Sequence, residues 1–208
     1  MNSETIKRII SSLILLPLAY FSITEDSIIK LIFILVCFVI SFYEWHMMAK
    51  NKSFAVNGYV FLIFSFYTFY ELSTDIILTL FIIIVCVLTD LGGYVFGKTF
   101  KGPKLTKISP NKTYSGMLGA YTLSLIFILI AINHITLSVS LFKILLLTIL
   151  ISTVSQTGDI VISYFKRLAN IKNSGNIIPG HGGLLDRIDG MIFAFPFCFI
   201  LKILGFLI

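Results

Sequence analysis

Charged side chains are scarce in this chain. Only 12% of its 208 residues are Asp, Glu, Lys or Arg, and 57% are hydrophobic. Because a soluble domain carries about 25% charged residues, this composition excludes an ordinary soluble protein. The long apolar runs between the few charges predict an integral membrane protein.

Cysteine patterns, repeats and linkers are also missing. The three cysteines, Cys37, Cys86 and Cys198, lie in separate apolar runs, without the spacing of metal ligands or of a disulfide framework. We interpret them as packing residues. No internal repeat or low-complexity linker divides the sequence, so we expect a single domain over residues 1–208. No small-residue cleavage site follows the first apolar run, which we therefore interpret as a retained helix.

Seven apolar runs are candidates for membrane spans, since a helix needs about 20 residues to cross a bilayer. The predicted spans are 8–24, 28–48, 54–71, 76–96, 115–133, 141–165 and 186–207. The expected fold is therefore an all-α, polytopic membrane bundle of about seven helices.

The loops between these spans alternate between basic and non-basic. Lysine and arginine are concentrated in the N-terminus, in the short loop around Lys50, and in the loops 97–114 and 166–185. Because basic loops stay on the cytoplasmic side of a membrane, we expect a cytoplasmic N-terminus. Both long basic loops are then expected to face the cytoplasm.

Four aspartates lie within or at the start of predicted spans. Asp90 and Asp159 each lie eight residues before a basic side chain at a cytoplasmic loop, which is about 12 Å along a helix. Asp186 and Asp189 open the last span at positions i and i+3, so they share a helix face. Each carboxylate could pair with a basic side chain, share a proton or bind a metal. Their common depth favours a divalent cation, and oxygen ligands favour Mg²⁺.

Two polar segments are suited to binding phosphate. Asp159, Ser163 and Lys166 lie at i, i+4 and i+7, so a carboxylate and an ammonium group share one stripe, which suits a metal-bound polyphosphate. Residues 109–113 combine hydroxyl, amide and ammonium donors just before a span, where a helix start favours anions. Contact with anionic lipid headgroups is the alternative explanation for the lysines of loop 97–114.

A glycine-rich loop, Pro179–Gly183, precedes the helix that bears Asp186. Glycines allow backbone N–H groups to approach an anion closely. His181 within the loop could donate to a phosphate oxygen or transfer a proton, although a lone histidine is often a simple structural donor. The position of the loop, between a Lys-Arg pair and an Asp-x-x-Asp helix, favours phosphate binding.

These segments occur in a familiar order. Ser163-Tyr164-Phe165-Lys166-Arg167 precedes Lys172, Gly175, Pro179–Gly183 and Asp186-Arg187-Ile188-Asp189, and upstream are Asp90–Gly97, Ile108–Thr113 and Gly158-Asp159. Together, over roughly residues 85–190, they resemble the signature of the phosphatidate cytidylyltransferase, or CDP-diacylglycerol synthase, family. Two positions depart from that pattern: Asn173 stands where Asp is usual, and Ile162 stands where bacterial members often have Glu.

The resemblance implies transfer of a cytidylyl group from CTP to phosphatidic acid, giving CDP-diacylglycerol and pyrophosphate. It implies Mg²⁺ bound by Asp159, Asp186 and Asp189, with Asp90 as a further candidate ligand and a second cation left open. His181 joins those three aspartates as a catalytic candidate. The candidate substrate-binding residues are Ser109, Lys112, Thr113, Ser163, Lys166, Arg167, Lys172, Gly182, Gly183 and Arg187.

The resemblance also implies an organisation and a location. Residues 1–84 would supply N-terminal spans, 85–190 the catalytic part and 186–207 the last span. The expected partners are CTP, phosphatidic acid and membrane lipids, without nucleic acid, and a homodimer is left open. We expect a multi-pass protein of a bacterial inner membrane whose active site faces the cytoplasm.

Three alternatives remain at this point. A CTP-dependent lipid kinase would share the nucleotide and the metal, and a cytidylyltransferase for another lipid phosphate would share the chemistry. An ion-coupled transporter would also carry intramembrane aspartates, but it would not need a glycine–histidine loop beside Lys166 and Arg167.

Overall fold

The computed structural model describes residues 20, 24–25, 27–106, 108–131, 140–177 and 182–207. Within these ranges the chain is helical and contains no β-strand, and Lys104 and Thr113 form an isolated antiparallel bridge. The helices are α1 Ser27–Ala49, α2 Ala55–Leu72, α3 Ile76–Phe100, α4 Tyr114–Ala131, α5 Leu141–Leu168, α6 Leu185–Ile188 and α7 Met191–Ile203. The prediction of an all-α fold is confirmed.

Four of the described helices are long and apolar enough to cross a bilayer, namely α1, α3, α4 and α5. The shorter helix α7 is also apolar, and α2 coincides with the predicted span 54–71. These helices confirm a membrane protein. The predicted span 8–24 falls almost entirely on residues outside the described ranges, and the orientation in the membrane stays a prediction.

The last predicted span, 186–207, is not one continuous helix. A short helix, α6, ends at Ile188, and α7 begins at Met191. Asp189 and Gly190 keep helical backbone angles, but the regular helical hydrogen-bond pattern is interrupted at these two residues. After α7, Gly205 has a φ of 76°, and the amides of Gly205 and Phe206 donate to Lys202 and Leu201, which is the Schellman pattern of a helix end.

The chain divides into two compact units, which are described separately. The first unit comprises the residues up to Ile76 and Phe165–Asp189, and the second comprises Ile77–Tyr164 and the residues from Gly190 onward. The expected catalytic part, 85–190, therefore draws on both units. The expectation of a single domain stays a prediction.

In the first unit, α1 packs against α2 and also contacts α6. Trp45 of α1 is only 2% exposed, and its indole N–H donates to the Ala55 carbonyl at 3.1 Å. The ring meets Phe54 and Phe165 edge-on. A side chain at Gly58 would overlap the indole ring, so this glycine permits α2 to lie against Trp45. These contacts fix the end of α1 next to the start of the segment 165–189.

In the second unit, α3 and α4 cross at glycines. A Cβ at Gly92 would overlap the Gly119 carbonyl, and a Cβ at Gly116 would meet the Gly93 carbonyl at 2.7 Å. Small residues allow helix backbones in a membrane to approach this closely. The crossing also holds the loop before α4, where the Leu105 amide donates to the Lys112 carbonyl at 2.8 Å.

We predict that Gly92→Ala destabilises the protein and that Gly93→Ala does not. The added methyl at position 92 would meet the Ala120 Cα at 2.9 Å as well as overlap Gly119, whereas the one at position 93 meets only the Gly116 carbonyl, at an ordinary 3.9 Å. Overpacking of this kind costs about 1–3 kcal/mol. Thermal unfolding of both variants in detergent checks the expectation. Equal midpoints for the two variants would contradict the close crossing.

Candidate functional site

Asp186 is the most heavily bonded candidate residue of the first unit. Its Oδ1 accepts a hydrogen bond from Lys166 Nζ at 2.8 Å. Its Oδ2 accepts from the amides of Ser174 and Gly183, at 2.9 and 3.1 Å. The side chains of Lys166 and Asp186 are only 9% and 8% exposed. Asp186 therefore joins Lys166, near the end of α5, to Ser174 and to Gly183, the last residue of the glycine-rich loop.

A second carboxylate, Glu44 of α1, binds residues on either side of the glycine-rich loop. Its Oε1 accepts from the Leu184 amide at 2.9 Å, and its Oε2 accepts from Ser174 Oγ at 3.0 Å and from the Leu185 amide at 2.8 Å. Glu44 is only 1% exposed. Glu44 and Ser174 are not among the site residues predicted from the sequence. The available signal was a carboxylate inside an apolar run, which has to find partners.

The predicted substrate-binding glycines lie against these carboxylates. Gly182 has a φ of 87°, a conformation that glycine adopts at little cost, and its α-carbon faces Asp186 and Asn173. Gly183 is buried, and its amide is the one that donates to Asp186. The described end of the loop, Gly182 and Gly183, thus lies against carboxylates of the protein itself. His181 lies outside the described residues.

The other basic candidates of the first unit reach the surface. Arg167 is exposed and donates from Nη1 to the Ile171 carbonyl at 2.8 Å. Lys172 and Arg187 are exposed as well. In contrast, Asp189 is only 5% exposed. The first unit therefore combines a buried Lys–Asp pair with several exposed cations, an arrangement that can attract and hold an anionic ligand.

The second unit carries a different pair. Lys112, in the loop before α4, forms a salt bridge with Asp159 of α5, and the two side chains are 22% and 29% exposed. Ser163 Oγ lies 3.4 Å from Asp159 Oδ1. The Lys112 amide donates to the Ser109 carbonyl at 3.0 Å. Asp159 is thus paired with a lysine that lies 47 positions away in the sequence, which is the alternative that the sequence favoured less than a bound cation.

Thr113 and Asp90, two further candidates of the second unit, have different surroundings. Thr113 caps the start of α4, since its Oγ1 accepts from the Gly116 amide at 3.1 Å and lies 3.0 Å from Ser115 Oγ. Asp90 is exposed on α3. The neighbouring Thr89 points inward, and its hydroxyl donates to Ser152 at 2.9 Å. Thr113 therefore stabilises the start of α4.

The described carboxylates do not by themselves form a metal site. Across the described part of the chain, no group of three or more His, Cys, Asp or Glu side chains is placed to hold a metal ion. Asp159 and Asp186 are instead each paired with a lysine. Mg²⁺ is commonly bound through one or two carboxylates plus substrate phosphates, and such oxygens are available here. The assignment of Asp159, Asp186 and Asp189 as metal ligands stays a prediction.

Comparison with known proteins identifies relatives along most of the chain. A curated phosphatidate cytidylyltransferase of Staphylococcus saprophyticus is 44% identical over 125 residues, covering 60% of this chain and 48% of that protein. A second curated phosphatidate cytidylyltransferase, from Staphylococcus haemolyticus, is 37% identical over 190 residues, covering 88% of this chain and 70% of that protein. A third phosphatidate cytidylyltransferase, from Staphylococcus epidermidis, is 36% identical over 168 residues, and this chain covers 65% of its length.

The chain thus spans about half to 70% of the length of these curated relatives. The model of the cytidylyltransferase family matches residues 71–204. This range includes both lysine–aspartate pairs, the glycine-rich loop and the helices α3 to α7. The chain belongs to the cytidylyltransferase family.

Proposed function

We propose that this protein transfers a cytidylyl group from CTP to phosphatidic acid, giving CDP-diacylglycerol and pyrophosphate. The observation that carries the proposal is the set of hydrogen bonds to Asp186. Its carboxylate accepts from the Lys166 ammonium group and from the amides of Ser174 and Gly183. The names of the Staphylococcus relatives support the substrates. The apolar helices support a lipid acceptor, because they place the chain within a bilayer.

The reaction we propose is an in-line displacement at the α-phosphorus of CTP. A phosphate oxygen of phosphatidic acid forms the new P–O bond, and the bond to the β-phosphate oxygen breaks, so pyrophosphate leaves. The attacking phosphate is already an anion, so it needs no strong base. The protein then contributes positioning and neutralisation of charge, which dominate phosphoryl transfer.

We assign the basic residues to the phosphates of the two substrates. Lys166 and Lys112 are each held by an aspartate, so their ammonium groups have fixed positions. The exposed cations Arg167, Lys172 and Arg187 lie where an incoming triphosphate can meet them. Phosphate oxygens accept well from such groups, particularly from the guanidinium of arginine.

The acidic residues and His181 complete the assignment. Asp159, Asp186 and Asp189 are the carboxylates that would hold Mg²⁺, which neutralises triphosphate charge when it is bound. Asp90 is a further candidate ligand. We assign to His181 a hydrogen bond to a phosphate oxygen. We place the site on the cytoplasmic side of a bacterial inner membrane, since CTP arrives from the cytosol and the two long basic loops favour that side.

Product analysis tests this function. We expect the purified protein, in mixed micelles with phosphatidic acid and labelled CTP, to release pyrophosphate and CDP-diacylglycerol in equal amounts. Chelation of Mg²⁺ should abolish the reaction, and added Mg²⁺ should restore it, because the triphosphate charge is otherwise not neutralised.

The same assay separates the alternatives. Release of CDP in place of pyrophosphate would identify a lipid kinase. Turnover only with a different lipid phosphate would identify another acceptor. Absence of any CTP turnover over a range of lipids, in a protein that remains folded, would contradict the proposed function and favour a transporter.

A further inference from the structure

Glu44 is a buried carboxylate, and its hydrogen-bond donors among the described residues are all uncharged. It lies in the apolar helix α1, far from any other candidate residue in the sequence, and is 1% exposed. Its three hydrogen-bond donors are the Ser174 hydroxyl and the amides of Leu184 and Leu185. The salt bridges of the described residues join Lys112 to Asp159 and Lys166 to Asp186, so neither includes Glu44. A buried charge without a counter-ion is costly, which indicates a specific role for this side chain.

Glu44 and Asp186 both accept hydrogen bonds from the same two places in the chain, Ser174 and residues 183–185. Ser174 gives its amide to Asp186 and its hydroxyl to Glu44. Of three consecutive amides, that of Gly183 goes to Asp186, and those of Leu184 and Leu185 go to Glu44. Loss of the Glu44 bonds would therefore release the same backbone that orients Asp186 toward Lys166.

Gly175 and Gly183 lie directly against the Glu44 side chain. A Cβ at Gly175 would meet Glu44 Oε1 at 2.8 Å, Cδ at 3.1 Å and Cγ at 3.2 Å. A Cβ at Gly183 would overlap Glu44 Oε2 and Ser174 Oγ. Neither glycine is among the described glycines with positive φ, which are Gly102, Gly182 and Gly205. A side chain at Gly175 would thus meet the carboxylate, and one at Gly183 would meet both the carboxylate and the Ser174 hydroxyl.

We propose that Glu44 is a positioning residue: it fixes the loop so that Asp186 and Lys166 are set for the substrate phosphates. The proposal rests on the proposed cytidylyl transfer, in which that pair takes part. Glu44 itself contacts neither substrate in this scheme, and it acts through the amides of residues 183–185.

Glu44→Gln is the first test, since it keeps the size of the side chain. A glutamine has one carbonyl oxygen, so at least one of the Leu184 and Leu185 amides loses its acceptor in either orientation. We expect faster hydrogen exchange confined to residues 174–177 and 182–188, and a fall in kcat/KM for CTP of about tenfold or more, the effect of losing one bond to a charged acceptor. Glu71→Gln, which changes another glutamate of the first unit, is the matched control and should change neither quantity.

The second test combines two substitutions, Gly175→Ala and Glu44→Asp, one on each side of the contact between these residues. Gly175→Ala should reduce kcat/KM for CTP, because the three heavy atoms nearest to its methyl all belong to Glu44. In a Glu44→Asp background, where the side chain is one methylene shorter, the same Gly175→Ala change should cause little additional loss. A general structural role of position 44 would instead give additive losses.

The outcomes separate the positioning role from the proposed function. If the wild-type protein transfers no cytidylyl group, the proposed function fails, and the exchange measurements still decide whether Glu44 holds the loop. Unchanged exchange in Glu44→Gln, or full activity per folded molecule despite faster exchange, overturns the positioning role. Additive losses in the Glu44→Asp and Gly175→Ala pair overturn it as well, even if Glu44→Gln does not fold.

Discussion

Asp186→Asn should reduce cytidylyl transfer by about a hundredfold or more and should also destabilise the protein. The asparagine oxygen can still accept from the Ser174 and Gly183 amides, but its NH₂ group then faces Lys166, a donor that is only 9% exposed. Removal of one partner from a buried ion pair costs about 3–5 kcal/mol, because the other charge is left uncompensated. Initial rates with labelled CTP and thermal unfolding in detergent measure the two effects.

A double variant separates stability from activity. Lys166→Met combined with Asp186→Asn removes both charges, so much of the lost stability should return, as it does when buried pairs are replaced by neutral groups. Activity should not return, because the ammonium and the carboxylate are both absent. Asp75→Asn, at an exposed aspartate of the same unit, is the control and should behave as wild type. Full activity of the folded Asp186→Asn variant would remove Asp186 from the catalytic and metal assignments.

Asp159→Asn and Lys112→Met should each lower activity by about a hundredfold, since each removes one charge assigned to substrate phosphate or cation. Both side chains are partly exposed, at 29% and 22%, so we expect a smaller loss of stability than for Asp186→Asn. Lys98→Met is the matched control in the same unit, because Lys98 is exposed and lies over the Tyr94 ring. Rates with CTP and phosphatidic acid provide the measurement.

A charge exchange tests whether the second pair is more than structural. In the double variant Lys112→Asp and Asp159→Lys, the two charges can still attract each other, so the fold should persist. The carboxylate and the ammonium group have exchanged places, however, so the phosphate- and cation-binding groups no longer match the substrates. We expect the exchange variant to stay inactive. Recovery of activity would show that the pair only holds the loop before α4 against α5.

The sequence determined the class of this protein and the approximate position of most described helices. The length of the apolar runs decides both. A helix needs about 20 apolar residues to cross a bilayer, and within the hydrocarbon region the backbone groups can form hydrogen bonds only with one another. The spans 28–48, 54–71 and 141–165 match α1, α2 and α5 to within a few residues. The signature also identified Asp159, Lys166 and Asp186, since their spacing is local to one polar stretch and to α5.

The tertiary structure alone decided which partner each charge has. Lys166 was predicted to bind phosphate and was found paired with Asp186, and Lys112 was found paired with Asp159. Ile162, one of the two positions that depart from the expected signature, is 2% exposed, so this chain carries an apolar residue at a buried position of α5. The interruption of the last span at Asp189 and Gly190 was also visible only in the fold.

Glu44 shows most clearly why the sequence was insufficient. Its bonds reach Ser174, Leu184 and Leu185, which lie 130 to 141 positions away. Periodicity and spacing report which residues share a face of one helix, but they carry no information on which faces of distant segments meet. Sequence therefore determined a membrane-embedded cytidylyltransferase-family chain with its signature acids, and only the packing of α1 against the segment 165–189 decided that a glutamate from outside the signature holds that signature in place.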